Sequence, residues 1–321
     1  MSLALLFSPQ GSQVVGMGRD LAQQHAATRE VFTVADAVAG WSVSDAAWNG
    51  PAERLNDTRQ TQPCLVATSL ACLAALRAVA AESGIPLAPA YVAGHSVGEY
   101  AALAAAGVLS TADAIRLVAR RGALMADAGV EGGMAAVMGL GREAVADAIA
   151  AAASPADLVV ANDNAPGQVV ISGTRDALLA AEATLKEAGA RRVIPLSVSG
   201  PFHSPWMAEI SHQLADAFEG ASWSDADPPL VSNVTGEPVT GADRIRSLLA
   251  EQVRSPVEWV ASVRRMVADG VGTFIECGPG SALTGMVKRI APEARTFNVA
   301  DVRSLADTVS HLSAVPAEAS A

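Results

Sequence analysis

Aromatic residues make up only 4% of the 321 residues. That scarcity argues against an aromatic-rich β-sandwich and for close-packed helices laid on a sheet. Cysteine is equally thin: Cys64, Cys72 and Cys277 are widely spaced, with no CxxC pair and no Cys/His cluster at metal-ligand spacing. No metal site is expected, an odd count fits a reducing compartment, and the three thiols read as small buried hydrophobes. Positive charge is also short, 22 Lys and Arg against 33 Asp and Glu, a formal −11. A general nucleic-acid binder needs a basic surface, so that class is set aside, whereas a small anionic ligand needs only a local cationic pocket. The opening MSLALLF has no basic segment before it and soon meets Pro9, so no signal peptide is expected. The longest uncharged stretch, 60–76, holds Pro63 and several polar residues. It falls short of the ~20 apolar residues of a membrane span. The expectation is a soluble, cytoplasmic protein with no membrane association.

What the chain has in quantity is small and apolar: half of it is hydrophobic and 27 residues are glycine, enough for a sizeable core. The apolar run LALLF ends in Ser8-Pro9-Gln10-Gly11 and reads as a buried strand entering a turn. A second strand is expected over 90–93, with helices over 62–80, 98–106 and 111–125. From about Gly132 the pattern changes to strand 134–138, helix 142–152, strand 158–161, strand 168–172, helix 176–188 and strand 192–196. That β-α-β-β-α-β order is the ferredoxin-like unit. Alternation of helices and strands then resumes, with helices over 205–218 and 242–253 and strands over 230–233 and 273–276. The expected fold is α/β: a large hydrolase-like domain with a mainly parallel sheet, 1–129 and 199–309, and a small ferredoxin-like domain, 130–198, inserted in it. Residues 310–321, rich in small side chains, are expected to be a frayed tail.

The chemistry centres on Gly94-His95-Ser96-Val97-Gly98, a GxSxG sequence between an expected strand and an expected helix. A sharp strand-to-helix turn exposes its middle serine, and flanking glycines permit the turn. The helix beginning near Val97 also brings unpaired N–H groups and its positive end to the serine. Ser96 is therefore a candidate nucleophile in need of a base. Of the five histidines, His95 is expected to point away from its neighbour. His25 and His212 lie in polar helical surroundings, and His311 lies in the tail. His203, in Ser199-Gly200-Pro201-Phe202-His203-Ser204 at the return from the small unit, is balanced between catalytic and structural readings on these residues alone.

These segments occur together with Gln10-Gly11-Ser12-Gln13, the full GHSVGEY at 94–100, Arg121-Gly122 with Met125, Asn164-Ala165-Pro166-Gly167-Gln168, and Gln252 ahead of Ser255-Pro256-Val257. In that order, from residue 4 to about 290, the chain resembles the malonyl-CoA:acyl carrier protein transacylase family and the related acyltransferase domains of polyketide synthases. The resemblance implies Ser96 as nucleophile, His203 as general base, and the Gln252 backbone carbonyl as the group orienting the imidazole. It implies an oxyanion hole from the backbone N–H groups of Gln10 and Val97. Arg121 is implied to pair with the malonyl carboxylate through its planar fork. Met125, Asn164, His95 and Phe202 are implied to line the substrate site, and a Phe before the histidine is what malonyl-selective members tend to carry. One departure concerns Ser8-Pro9, which stand where the family usually has Pro-Gly, so the backbone before Gln10 is more restricted.

The implied reaction moves a malonyl group from malonyl-CoA to the phosphopantetheine thiol of an acyl carrier protein, for fatty acid or polyketide synthesis. The enzyme would hold no permanent cofactor and would act as a monomer. Arg191, Arg192, Lys288 and Arg289 are candidates for a basic patch that docks an acidic carrier. Two rivals stand beside it: a serine thioesterase or acyl hydrolase, which also uses GxSxG, and a non-catalytic acyl-binding subunit. The first leaves Arg121 and the inserted unit without a role. The second leaves Ser96 and His203 without one.

Overall fold

The computed structural model describes residues 2–154 and 156–314. Its strands, in chain order, are β1 Ser2–Phe7, β2 Tyr91–Gly94, β3 Gly133–Met138, β4 Leu158–Ala165 and β5 Gln168–Gly173. They continue with β6 Arg192–Pro195, β7 Leu230–Val231, β8 Pro238–Val239, β9 Val271–Cys277 and β10 Arg295–Val299. One sheet has the order β10-β9-β1-β2-β7-β8, parallel throughout except for the final β7–β8 pair. β1 lies in its middle because its apolar run is buried on both faces. Leu5 and Phe7 pack into one hydrophobic cluster, while Ala4 and Leu6 pack into another on the opposite side. A strand with two buried faces has no solvent side, hence the unbroken LALLF.

Helix Thr58–Glu82 runs through the larger cluster and continues across Pro63, extending the expected helix over 62–80 at both ends. Asp57 caps it by accepting from Arg59 N–H, and a proline this near the first turn removes one backbone bond without ending the helix. At 25 residues the helix is long and apolar enough to cross a membrane by length and composition, but 72% of its most apolar window is buried inside the protein.

The second sheet, order β4-β5-β3-β6, is antiparallel throughout. Helices Arg142–Ala152 and Arg175–Glu187 enclose a core of its own that includes Val137, Ile149, Val169, Ile171 and Leu185. β4 runs four residues beyond the expected 158–161, with register shifts at Val160/Asn162 and Asp163/Ala165. Beyond them its polar end, Asn162-Asp163-Asn164, pairs with the segment that leads into helix Trp259–Ala268. There Val257 N–H donates to Ala161 O (2.8 Å) and Asp163 N–H donates to Val257 O (3.0 Å). An Arg142–Glu258 ion pair adds to the junction.

The expected fraying from residue 310 is corrected by helix Val302–Ser313. Asp301 and Ser304 form a reciprocal capping box at its start, and Leu305, Thr308 and Val309 are buried. The amphipathic spacing of those residues outweighs the small-residue composition that suggested a loose end. Residues 315–321 of the expected tail lie outside the described residues.

Candidate active site

β2 ends at Gly94 and helix Gly98–Ala105 begins four residues later. Between them Ser96 adopts φ 52°, a left-handed conformation unusual outside glycine. Both flanking glycines are needed for steric reasons. A Cβ on Gly94 would lie 2.0 Å from the Gly98 carbonyl carbon, and a Cβ on Gly98 would lie 2.2 Å from Phe7 O. The turn is also tied at both ends of the serine: Ser96 N–H donates to Asn233 Oδ1 (2.6 Å), and Ser96 O accepts from Gln252 Nε2 (2.9 Å).

His203 lies 107 residues away in sequence, yet its Nε2 is 2.7 Å from Ser96 Oγ. It too has a positive φ, 56°, and its N–H donates to Val253 O (2.9 Å). Its Nδ1 faces two carbonyl oxygens, those of Gln252 (3.0 Å) and Ser255 (3.2 Å). Carbonyls only accept, so Nδ1 carries the ring proton and Nε2 is left to accept from the serine hydroxyl. Burial pushes the imidazole down to about 3, with the Arg121 charge and His95 acting in the same direction. It is therefore neutral across the ordinary pH range, the form a general base requires.

Arg121, on helix Thr111–Ala126, is wholly buried beside this pair. One of its terminal nitrogens donates to Gln62 Oε1 (2.8 Å), and the other donates to Ser96 Oγ (3.1 Å) and Gln252 Oε1 (3.0 Å). Its Nε has no hydrogen-bond partner, and among the described residues it forms no ion pair. Burial draws the guanidinium down from its usual value, but arginine keeps its charge in proteins.

A cavity of about 380 Å³ opens onto the serine and is lined by Gln10, His95, Ser96, Met125, Phe202 and His203 among others. His95 borders this cavity, its ring engaged not with Ser96 but with Asn164, whose Oδ1 lies 2.7 Å from Nε2, and edge-on to Trp259 (5.4 Å). Burial pushes His95 down to about 4. Met125 Sδ accepts from Gln62 Nε2 at 3.4 Å. Ser8 is buried and donates to Glu276 Oε1 (3.3 Å), and Pro9 O accepts from Ser12 N–H (3.3 Å). The turn after Pro9 thus closes without using Gln10 N–H.

The cavity and its floor bring together Gln10, His95, Ser96, Arg121, Met125, Asn164, Phe202, His203 and Gln252, with Val97 buried directly behind the serine. Residues of the site that the sequence reading passed over are Gln62, Glu99, Asn162, Asn233 and Ser255. Glu99 stood inside GHSVGEY, and a charged residue in the first turn of an otherwise apolar helix was the available signal. Asn233 and Gln62 carried none, since single amides have no pattern. Of the four basic residues considered for docking, all are exposed. Arg289 is engaged with Gln168 Oε1 and Pro166 O, strapping helix Ala282–Ile290 to the β4–β5 turn.

A serine whose proton can pass to a neutral imidazole is equipped to form esters, and a buried cation beside it favours acyl groups that end in an anion. That is the chemistry of an acyltransferase, and the acyl transferase domain family matches residues 4–308. Within it the chain is 42% identical over 306 residues to the malonyl CoA-acyl carrier protein transacylase of Bacillus subtilis, covering 94% of this chain and 95% of that one. The structure superimposes on a Vibrio cholerae acyl carrier protein S-malonyltransferase with a TM-score of 0.90, at 41% identity, over 96% of this chain and all of that one. A malonyl-transacylase solved in complex with its type II polyketide synthase acyl-carrier protein gives a TM-score of 0.91 at 39% identity, over 97% of this chain and all of that one. The chain belongs to the malonyl CoA-acyl carrier protein transacylases.

Proposed function

We propose that this chain moves a malonyl group from malonyl-CoA to the phosphopantetheine thiol of an acyl carrier protein, through a malonyl ester on Ser96. The observation that carries this reading is Arg121: a buried cation 3.1 Å from the nucleophile, held only by neutral groups. An unpaired buried charge is costly, and a bound acyl group ending in a carboxylate supplies the missing anion.

In the first half-reaction His203 Nε2 takes the Ser96 proton as Oγ attacks the thioester carbonyl. The C–S bond then breaks, and the coenzyme A thiolate leaves with the proton from His203. In the second, the carrier thiol gives its proton to His203 and attacks the serine ester, and Ser96 Oγ recovers that proton as its bond to the acyl carbon breaks. The backbone N–H groups of Gln10 and Val97 serve the developing oxyanion. The carbonyls of Gln252 and Ser255 fix the imidazole in place of a carboxylate, and Phe202 and Met125 form the apolar wall around the acyl chain. No resident cofactor takes part. The unit 130–198, with strand order β4-β5-β3-β6, is ferredoxin-like and inserted in the larger domain of 1–129 and 199–309. The protein works as a cytoplasmic monomer, and exposed Arg191, Arg192 and Lys288 receive an acidic carrier.

Intact-mass measurement after exposure to malonyl-CoA tests this. Wild type should gain one malonyl group and lose it to carrier protein faster than to water. Ser96→Ala should gain none, and His203→Ala should acylate ~10²–10⁴-fold more slowly. A malonyl adduct on Ser96→Ala would overturn the assignment. Equal discharge with and without carrier would make the protein a hydrolase.

A further inference from the structure

Beneath the catalytic pair lies a carboxylate that the transfer chemistry does not use. Glu99 is 2% exposed, in the first turn of the helix that follows the nucleophile. Its Oε1 accepts from Asn233 N–H (3.1 Å), and its Oε2 accepts from Gln252 Nε2. Each of those two residues grips Ser96: Asn233 Oδ1 takes its N–H and Gln252 Nε2 reaches its carbonyl. Asn233 also donates through Nδ2 to Gly94 O (2.6 Å).

The amide of Gln252 could in principle face either way. Its nitrogen end meets two acceptors, Glu99 Oε2 and Ser96 O, while its oxygen end meets the Arg121 guanidinium at 3.0 Å. A carboxylate only accepts and a guanidinium only donates. Glu99, together with the Ser96 carbonyl, therefore selects one of the two orientations, and that orientation aims an acceptor at Arg121. We propose that Glu99 is a positioning residue that sets the Gln252 amide and, through it, the direction in which Arg121 presents its guanidinium to an anionic acyl group. This rests on the reading of Arg121 as the partner of the malonyl carboxylate. It adds that selectivity for that carboxylate is controlled from a residue that never touches it. Burial raises Glu99 to about 7, which fits a carboxyl retained in this place for its acceptor geometry at a cost in desolvation.

Glu99→Gln tests the proposal with nearly unchanged shape. The new amide offers one acceptor and one donor where two donors face it. With the Asn233 N–H fixed, its NH₂ meets the Gln252 nitrogen. Gln252 must then either tolerate that clash or turn its nitrogen to Arg121 and its oxygen to Ser96 O. Rates of Ser96 acylation by malonyl-CoA and by acetyl-CoA are measured on one preparation, beside the melting temperature. Both rates should fall, with malonyl losing a further factor of about 5–100, the range for leaving one buried polar group unsatisfied. A parallel fall of both rates, or an unchanged ratio, would mean that Glu99 only supports the fold, and the proposal would be wrong. If Glu99→Gln does not fold, Gln252→Leu removes the same amide while keeping the backbone carbonyl that holds His203. It must lower the malonyl-to-acetyl ratio likewise, and an unchanged ratio there overturns the proposal. Failure of the underlying function is separate and visible in wild type, as absence of a malonyl adduct.

Discussion

The serine turn and the histidine loop reach similar backbone conformations, φ 52° at Ser96 and 56° at His203, by different means. Around Ser96 the chief restraint is steric, with polar ties from Asn233 and Gln252 added to it. Strand, turn and helix pack so closely that neither Gly94 nor Gly98 has room for a single added carbon. Around His203 the restraint is polar and distant: its N–H is bound by Val253 and its Nδ1 by the carbonyls of Gln252 and Ser255, 49 and 52 residues along the chain. Gly200, in the same loop, has ordinary space, with the Phe202 ring 3.5 Å from a hypothetical Cβ. A nucleophile must be exposed on a rigid projection, which tight packing supplies. A base must hold one tautomer, which requires directed acceptors.

The largest effect that would break this contrast comes from placing the same methyl group in both regions. Gly98→Ala forces a carbon to within 2.2 Å of Phe7 O in the central strand, and neither backbone can yield without separating helix from sheet. The expected loss is at the exceptional end of single substitutions, above about 4 kcal/mol, read as lost soluble yield or a collapsed melting transition. Gly200→Ala should stay within about 1 kcal/mol of wild type. Comparable melting temperatures for the two variants would show that packing does not distinguish the two regions.

The same contrast explains what was legible in the sequence. GxSxG could be read because it is one contiguous pattern in which Gly94 answers to Gly98 four residues on, although Gly98 itself is confined by Phe7, and β1 could be read because two-sided burial leaves an unbroken apolar run. The β-α-β-β-α-β order followed from local periodicity. The choice of His203 among five histidines did not follow from local pattern, since its partners are carbonyls that any residue could provide; only the resemblance of the surrounding motif pointed to it. Asn233 and Gln62 were missed for that reason, being amides whose importance lies in what folds against them. Helix Val302–Ser313 was misjudged where its small-residue composition was weighed above burial. The polar end of β4 was cut short because its outward-looking residues face the site across a junction with Val257 that no local pattern announces.

Arg121 touches both regions, donating to Ser96 Oγ on one side and to the Gln252 side chain on the other, and its removal sharpens the comparison. Truncating one partner of a buried hydrogen-bonded charge pair typically costs ~2–5 kcal/mol. Arg121→Ala should therefore lower the malonyl-CoA specificity constant by ~30-fold to several thousand-fold. Acetyl-CoA has no carboxylate to pair, so its specificity constant should hold or rise, with Ser96 still acylated. Measured side by side, an equal drop for both substrates would assign Arg121 to support of the turn and the loop rather than to selection of the acyl group.

The smallest effect concerns the histidine loop alone and is read through stability. His203 is pushed down to about 3 from an ordinary value of 6.5 because burial, Arg121 and His95 all oppose its charge. Between those limits the unfolded chain binds a proton at this residue that the folded chain does not. Its contribution is therefore fully present above about pH 6.5 and is lost as pH falls towards 3. Burial lowers His95 to about 4, which acts in the same direction. Glu99, raised to about 7 from 4.5, acts oppositely, gaining stability as pH drops through that interval. A pH profile of wild type alone would mix these trends, so the informative quantity is a difference. The melting temperature of His203→Gln minus that of wild type removes terms common to both and leaves the titration of one imidazole. Between pH 7 and 5.5 that term changes by roughly 1 kcal/mol, or about 1–2 °C in a chain of 321 residues, so the difference should move upward by that amount on acidification. A difference that stays flat would mean that His203 takes up its proton in the folded state at the same pH as in the unfolded chain. In that case burial, Arg121 and His95 would not be holding the imidazole neutral, and the account of the loop as a pre-set base would fail.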